Sequence, residues 1–219
     1  MAENSLKPVQ LLMLDFDGTI TDSIPAAILS VQAMLKELSF PFKTAEEINI
    51  HVGYGEIPLI AGSIDSNDPA LINKALETYY QHYRTHGLKS IKAYPGVKEF
   101  LDKFADKKKY IVSNKKEEFI RLIMDNLGLS HYFKEMVGGD STACPKPDPY
   151  TLLRLLNEEK IKPENAMFIG DMTIDIETGK NAKVLTCAVT YGFDPREKLA
   201  ALKPDFLVDN LMDLARYIY

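Results

Sequence analysis

Two aspartates one residue apart, Asp15 and Asp17, directly follow the apolar run Leu11-Leu12-Met13-Leu14 in the segment DFDGT. A short run of that kind reads as a buried strand, so the pair sits at a strand's C-terminal end, the edge of an open α/β sheet where ligands bind. Alternation along an extended chain aims the two carboxylates in different directions, so that one can attack while the other handles a proton from another side. Gly18 then lets the chain turn where a Cβ would crowd it. Other polar residues occupy equivalent strand ends. Ser113 and Asn114 follow Tyr110-Ile111-Val112, and Asp171 follows 166–170 with Asp175 one helical turn beyond it. Lys146 stands in CPKPDP, where Pro145 and Pro147 restrict the backbone around a single cation.

Three carboxylates, a hydroxyl, an amide and an ammonium converging on one edge suit phosphoryl transfer. That reaction needs an aligned nucleophile and positive groups around the equatorial oxygens of the transferring group. Mg²⁺ prefers oxygen ligands, which Asp15 and Asp171 can supply together with a backbone carbonyl and waters. Ser113 and Asn114 can donate to phosphate oxygens, and Lys146 adds a fixed charge. An aspartate nucleophile forms an acyl phosphate that water then cleaves, splitting one difficult displacement into two easier ones. Asp15 must be ionised and Asp17 must hold a proton when the leaving oxygen departs. Contact with the metal and Lys146 is expected to favour the anion on Asp15, and exclusion of water to favour neutral Asp17.

The elements that position these residues are legible in the apolar pattern. Short runs at 9–14, 110–112, 135–137, 166–169, 184–189 and 206–208 read as buried strands, alternating with helical patterns as in an α/β domain with a mostly parallel sheet. Val97, Phe100, Leu101 and Phe104 mark one helix; Phe119, Ile120, Ile123, Met124 and Leu127 mark another, which Gly128 can end in a left-handed conformation. Asp148-Pro149 and Asp194-Pro195 each read as a capping carboxylate before a helix. From 24 to 91 the alternation stops and only helical signals remain, among them a Thr44/Glu47 capping box, an Asp68-Pro69 start and a stripe through Ile72, Leu76, Tyr79, Tyr80 and Tyr83 that reads as packing. The expected architecture is a doubly wound parallel α/β core, Rossmann-like, formed by 1–23 and 92–219, with a helical cap inserted at 24–91. Closure of that insert over the strand ends is the means of excluding water, and glycines near both joints allow it to bend.

DFDGT, the Ser113-Asn114-Lys115 segment, KPDP and GDMTID together resemble the four ordered motifs of the haloacid-dehalogenase superfamily, specifically its phosphatases with a small helical cap, such as phosphoglycolate phosphatases. The resemblance covers nearly the whole chain. It implies Asp15 as nucleophile and metal ligand, Asp17 as general acid/base with its carbonyl on the metal, and Ser113 and Lys146 as partners of phosphate and nucleophile. It also implies Asn114 as a phosphate contact, Asp171 as a metal ligand and Asp175 as the residue that orients the metal's surroundings. Two positions depart from the usual pattern: Lys107-Lys108-Lys109 and Lys183 stand where relatives usually place a turn glycine.

Taken singly, each of these residues has a plainer use. Asp171 can end a strand, Ser113 can cap a helix, Lys146 can be a solvated loop cation, and Asp175 can pair with Lys180. Their combination in order carries the chemistry. His51, beside the Gly53 loop, stays outside the set, and Lys107–Lys109 reads as an exposed turn. The composition points the same way: 26 Lys and Arg against 31 Asp and Glu give a net charge of −5, with no broad cationic face for nucleic acid or an anionic membrane. No apolar stretch approaches the roughly 20 residues that span a bilayer. Two cysteines without metal spacing read as reduced thiols, and the expected setting is cytoplasmic. The expected activity is Mg²⁺-dependent hydrolysis of a small phosphorylated metabolite through an aspartyl phosphate, phosphoglycolate-like or related. Transfer to another hydroxyl as in sugar-phosphate mutases, pyrophosphate hydrolysis and a non-enzymatic phospho-aspartyl switch are the alternatives. The oligomeric state has no sequence signal.

Overall fold

The computed structural model describes residues 6–219. Its centre is a six-stranded, wholly parallel sheet made of β1 (Leu11–Leu14), β2 (Lys108–Val112), β3 (Glu135–Val137), β4 (Ala166–Gly170), β5 (Leu185–Val189) and β6 (Phe206–Val208), in the order β3-β2-β1-β4-β5-β6. The chain steps outward from β1 to β3 and then returns to the other side of β1 for β4. The strand order therefore reverses between β1 and β4, which leaves a crevice at their C-terminal ends. Leu14 pairs with Ile169 in register, and the Asp15 N–H donates to the Ile169 carbonyl at 2.8 Å.

Both faces of this sheet are covered, which is why its strands are mostly apolar rather than alternating, with polar residues at the starts of β2 and β3. Leu12 and Leu14 pack on one face with Ile111, Phe100 and Phe119 from β2, α5 (Val97–Lys103) and α6 (Glu117–Asn126). Leu11 and Met13 point to the other, with Tyr110, Phe168 and the Leu152/Leu155 pair of α7 (Tyr150–Glu159). Between β1 and α5 the chain forms only helices: α1 (Ile24–Glu37), α2 (Ala45–Asn49), α3 (Glu56–Ser63), α4 (Pro69–His82), a π-helical turn through Gly87 and a 3-10 turn (Leu88–Ser90). The Thr44/Glu47 capping box and the Asp68 cap are both formed. After β4 come α8 (Thr173–Asn181) and α9 (Arg196–Ala201).

The two connections between this helical insertion and the sheet run side by side. Tyr94 N–H donates to the Ile20 carbonyl at 3.0 Å and Asp22 N–H to Lys92 at 2.9 Å. The insertion's tyrosines pack as expected, and Tyr83 continues that packing into the sheet layer with a perpendicular ring contact to Phe119, centroids 5.0 Å apart.

Two local expectations are corrected, and one departure from the usual pattern keeps its turn. Lys107–Lys109 is not an exposed turn: Lys108 and Lys109 belong to β2, Lys109 is buried, and its ammonium reaches the Lys107 carbonyl at 3.2 Å. Burial pushes the proton affinity of that ammonium down. Lys108 instead meets Glu159 of α7. Asp194 does not cap α9; its Oδ2 accepts the Thr173 N–H of α8 at 2.8 Å and its Oδ1 binds Lys198. Lys183 takes the left-handed conformation itself, with φ 59°, and Val184 N–H closes the α8 terminus on the Gly179 carbonyl at 3.1 Å. The missing glycine thus changes the cost of that turn and leaves its form intact.

Candidate active site

The strand ends bring all seven expected residues around one cavity or the carboxylate cluster at its floor. Asp15 is buried after β1 and Asp171 is fully buried after β4. Oxygens of Asp15, Asp171 and Asp175 all lie within 4.8 Å of one another. Thr19 Oγ1 donates to Asp171 Oδ1 at 2.7 Å, and Phe193 N–H donates to Oδ2 at 2.7 Å. The β1 turn has to pass very close to this carboxylate. Gly18 has φ +81°, and a Cβ there would overlap Asp171, as would one at Gly192. Glycine at 18 is therefore required both by backbone conformation and by the space the acid occupies.

Among the described residues Lys146 is the one ammonium inside the carboxylate cluster. Its Nζ lies 2.6 Å from Asp175 Oδ1 and 2.8 Å from Asp15 Oδ1. Asp175 Oδ2 accepts the Met172 N–H at 3.0 Å, so this carboxylate joins the start of α8 to Lys146. The contact to Asp15 is a buried ion pair through Oδ1. Burial pulls the Lys146 ammonium down, but Asp15 and Asp175 outweigh it and hold it above the ordinary lysine range. Burial, then Asp175, pushes the Asp15 carboxyl up to about 7, against the lowering effect of Lys146. Asp171 is raised well above its ordinary value for the same reasons, burial first and then Asp15.

These observations test whether a divalent cation fits. With all three ionised, the buried carboxylates set against one ammonium leave two negative charges uncompensated, and the donors are all hard oxygens. The cluster fits a divalent cation in charge and in donor type.

Asp17 faces away from the cluster. Lys115 Nζ is 3.2 Å from its Oδ1, and Ser23 Oγ bonds the same oxygen. Lys115 is buried over the Tyr83 ring, 4.7 Å from its centroid. Burial lowers its proton affinity, but Asp17, the neighbouring tyrosines and Glu56 together raise it well above the usual value. Ser113 Oγ accepts Lys115 N–H at 3.3 Å, and among the described residues its hydroxyl hydrogen has no acceptor. It lines the cavity and is placed to donate into it.

Asn114 lines the cavity, with its side chain held by the protein's own hydrogen bonds. Its amide nitrogen donates to the Lys146 and Gly53 carbonyls, both at 3.1 Å, and its Oδ1 accepts Lys146 N–H at 2.9 Å. Both amide hydrogens are thus engaged in holding the Lys146 loop and the helical insertion to the end of β2. His51 packs against Gly62 and does not line the cavity.

Two contributors escaped sequence reasoning. Lys115 stands beside Ser113 and Asn114 at the end of β2, and that adjacency was its signal. Glu56 had none. It opens α3 behind Gly55, and only folding brings its Oε1 to the Lys116 N–H at 2.9 Å. The cavity runs from Asp15 past these two residues to an apolar wall that includes Ile24, Val52 and Leu59.

Residues 12–189 match the family model described as haloacid dehalogenase-like hydrolase. The chain belongs to the haloacid dehalogenase-like hydrolases. It is 34% identical over 214 residues to phosphoglycolate phosphatase 1 of Pseudomonas aeruginosa, an alignment covering 94% of this chain and 78% of that protein. Identity to the phosphoglycolate phosphatase of Vibrio cholerae is 28% over 222 residues, covering 97% and 98% of the two chains. Among solved structures, a predicted phosphoglycolate phosphatase from Haemophilus somnus superposes with a TM-score of 0.90 at 26% identity, covering 97% of this chain and 99% of that one. The β1–β4 crevice and its acids therefore belong to a hydrolase. No helix among the described residues is long and apolar enough to cross a membrane.

Proposed function

We propose that this hydrolase is a Mg²⁺-dependent phosphatase that cleaves a small phosphomonoester through a phosphoaspartate at Asp15. The chain is a phosphatase in the manner of its relatives, and the observation that carries the mechanism is the buried Asp15 carboxylate held 2.8 Å from Lys146 in one cluster with Asp171 and Asp175. Asp15 attacks phosphorus, forming the Oδ–P bond as the ester P–O bond breaks. Asp17, steered by Lys115 and Ser23, gives its proton to the leaving alkoxide. The same carboxylate then takes a proton from the water that attacks the acyl phosphate, and inorganic phosphate and free Asp15 result. Ser113 donates to a phosphate oxygen while Lys146 holds charge on the transferring group.

Asp15, Asp171 and the Asp17 carbonyl are the groups that would hold Mg²⁺, which when bound neutralises phosphate charge and favours the Asp15 anion. Asp175 acts by orienting Lys146, and Asn114 by positioning the loop that carries it. Residues 24–91 serve as a cap over a core of 1–23 and 92–219. Supporting that division are the paired connections at 20–22 and 92–94 and the bidentate Arg84–Glu118 contact, Nη2 to Oε1 2.7 Å, between the insertion and α6.

The test is inorganic phosphate release from a panel of two-carbon acid phosphates, sugar phosphates, nucleotides and pyrophosphate. 2-Phosphoglycolate, the compound in the relatives' names, belongs in the panel. At least one monoester is expected to be turned over, with activity lost in excess EDTA and restored by Mg²⁺. Full activity in EDTA contradicts the metal-dependent mechanism, and isomerised product without free phosphate indicates transfer to another hydroxyl.

A further inference from the structure

We propose that Lys115 is a specificity-determining residue: its ammonium receives a carboxylate carried by the alcohol portion of the substrate, so that the enzyme prefers phosphate esters of small hydroxy acids. The inference rests on the phosphatase reading and names the residue that narrows its substrate class. It comes from the different seats of the two ammonium groups that line the cavity.

Lys146 is clamped between two carboxylates, 2.6 Å from Asp175 and 2.8 Å from Asp15, at the end where the phosphoryl group must lie. Lys115 is held more loosely. Among the described residues Asp17 is the one carboxylate within ion-pair distance of its Nζ, 3.2 Å away at Oδ1, with a hydrogen bond of 3.4 Å to Oδ2. The Tyr83 ring lies against another side of the ammonium, its centroid 4.7 Å from Nζ. An ammonium carries three donors, and one carboxylate met at these lengths does not use them all. Because Lys115 is buried and lines the cavity, an acceptor for the rest comes from whatever fills that cavity. Glu56, another acid lining this part, is turned to the Lys116 N–H at 2.9 Å, and burial raises its carboxyl above the ordinary value.

The place of Lys115 decides which part of a substrate it meets. Asp17 gives its proton to the leaving oxygen, so that oxygen lies against the same carboxyl that Lys115 touches. Ammonium and leaving oxygen are therefore neighbours, and a carboxylate close to the ester carbon spans the gap between them. In this step Asp17 is the neutral, proton-bearing partner, which leaves the buried ammonium without a protein anion at ion-pair distance. The substrate's carboxylate supplies that anion through a charge-assisted hydrogen bond. An uncharged alcohol does not, and a site built around a buried charge discriminates against a ligand that lacks the complement.

The experiment compares 2-phosphoglycolate with O-phosphoglycolamide, which has the same skeleton and an uncharged amide, and uses p-nitrophenyl phosphate as a general probe. In the unmodified protein with Mg²⁺, kcat/KM for 2-phosphoglycolate is expected to exceed that for the amide by about tenfold or more. Lys115→Gln is expected to slow both esters, because Asp17 loses one of its partners, and also to shrink the glycolate-to-amide ratio by about tenfold. The ratio separates the two roles, since a residue that only holds Asp17 slows both esters alike. Asp17 keeps Ser23 as a partner and its side chain is 25% exposed, so the variant is expected to fold. Lys115→Met is a second variant, for which the same change in ratio is expected. Equal or better turnover of the amide by the unmodified protein, or an unchanged ratio in either variant, overturns the proposal and leaves the phosphatase reading standing. No phosphate from any of the three compounds overturns both.

Discussion

Asp15→Asn is expected to abolish phosphate release, by about three orders of magnitude or more, while leaving the protein folded and at least as stable as before. The two halves of this result have one cause. Asp15 is a buried carboxylate whose anion is opposed by burial and by Asp175, so the fold carries it at a cost. An amide of the same shape removes the charge and leaves Lys146 its stronger partner, Asp175 at 2.6 Å. The nucleophile disappears and a source of repulsion disappears with it, the usual trade between activity and stability at a charged site. Phosphate release under saturating substrate and thermal melting without added metal check the two halves. A variant retaining more than a tenth of the activity, or one melting well below the unmodified protein, contradicts this reading of the cluster.

Lys146→Met is expected to do the opposite to stability. Methionine fills much of the same volume but leaves Asp15 and Asp175 facing each other without an ammonium, in the most buried part of the site. Removing one partner of a buried ion pair strands the other, which costs about 3–5 kcal/mol. The loss is read from the urea midpoint at constant slope, in the absence of divalent ions. Activity is expected to fall by about two orders of magnitude or more, because the fixed charge beside the nucleophile is gone. Added Mg²⁺ is expected to recover part of the stability and little of the activity, since it can replace charge in the cluster without restoring the ammonium's place. A denaturation midpoint unchanged in Lys146→Met contradicts the view that Lys146 neutralises this cluster.

Much of this arrangement was readable from residue order. Strands buried on both faces announce themselves as unbroken apolar runs, and all six appear within about two residues of their expected limits. The acids after β1 and β4 were legible because a polar residue at the end of such a run has few structural reasons to be there. What failed were readings that depended on a partner distant in the chain. Three consecutive lysines suggest an exposed turn until Glu159 of α7 is seen to take Lys108 and the Lys107 carbonyl to take Lys109. Asp194-Pro195 has the form of a local cap, yet the carboxylate finds the free N–H groups of α8, brought close by the loop after β5. For Asn114, nothing local reveals that its amide hydrogens go to Gly53 and Lys146. Glu56 lies in a segment without chemical pattern, and its place beside Lys115 is purely a product of folding.

The central claim is that a phosphoryl group passes through Asp15. Acyl phosphates are reduced by borohydride to the corresponding alcohol, so a protein quenched during turnover and treated with borohydride carries homoserine wherever an aspartyl phosphate stood. The expected result is homoserine at position 15, dependent on substrate and Mg²⁺ and found at no other aspartate. Sustained phosphate release with Asp15 intact after the same treatment, or homoserine at Asp171 or Asp175 in its place, contradicts the account.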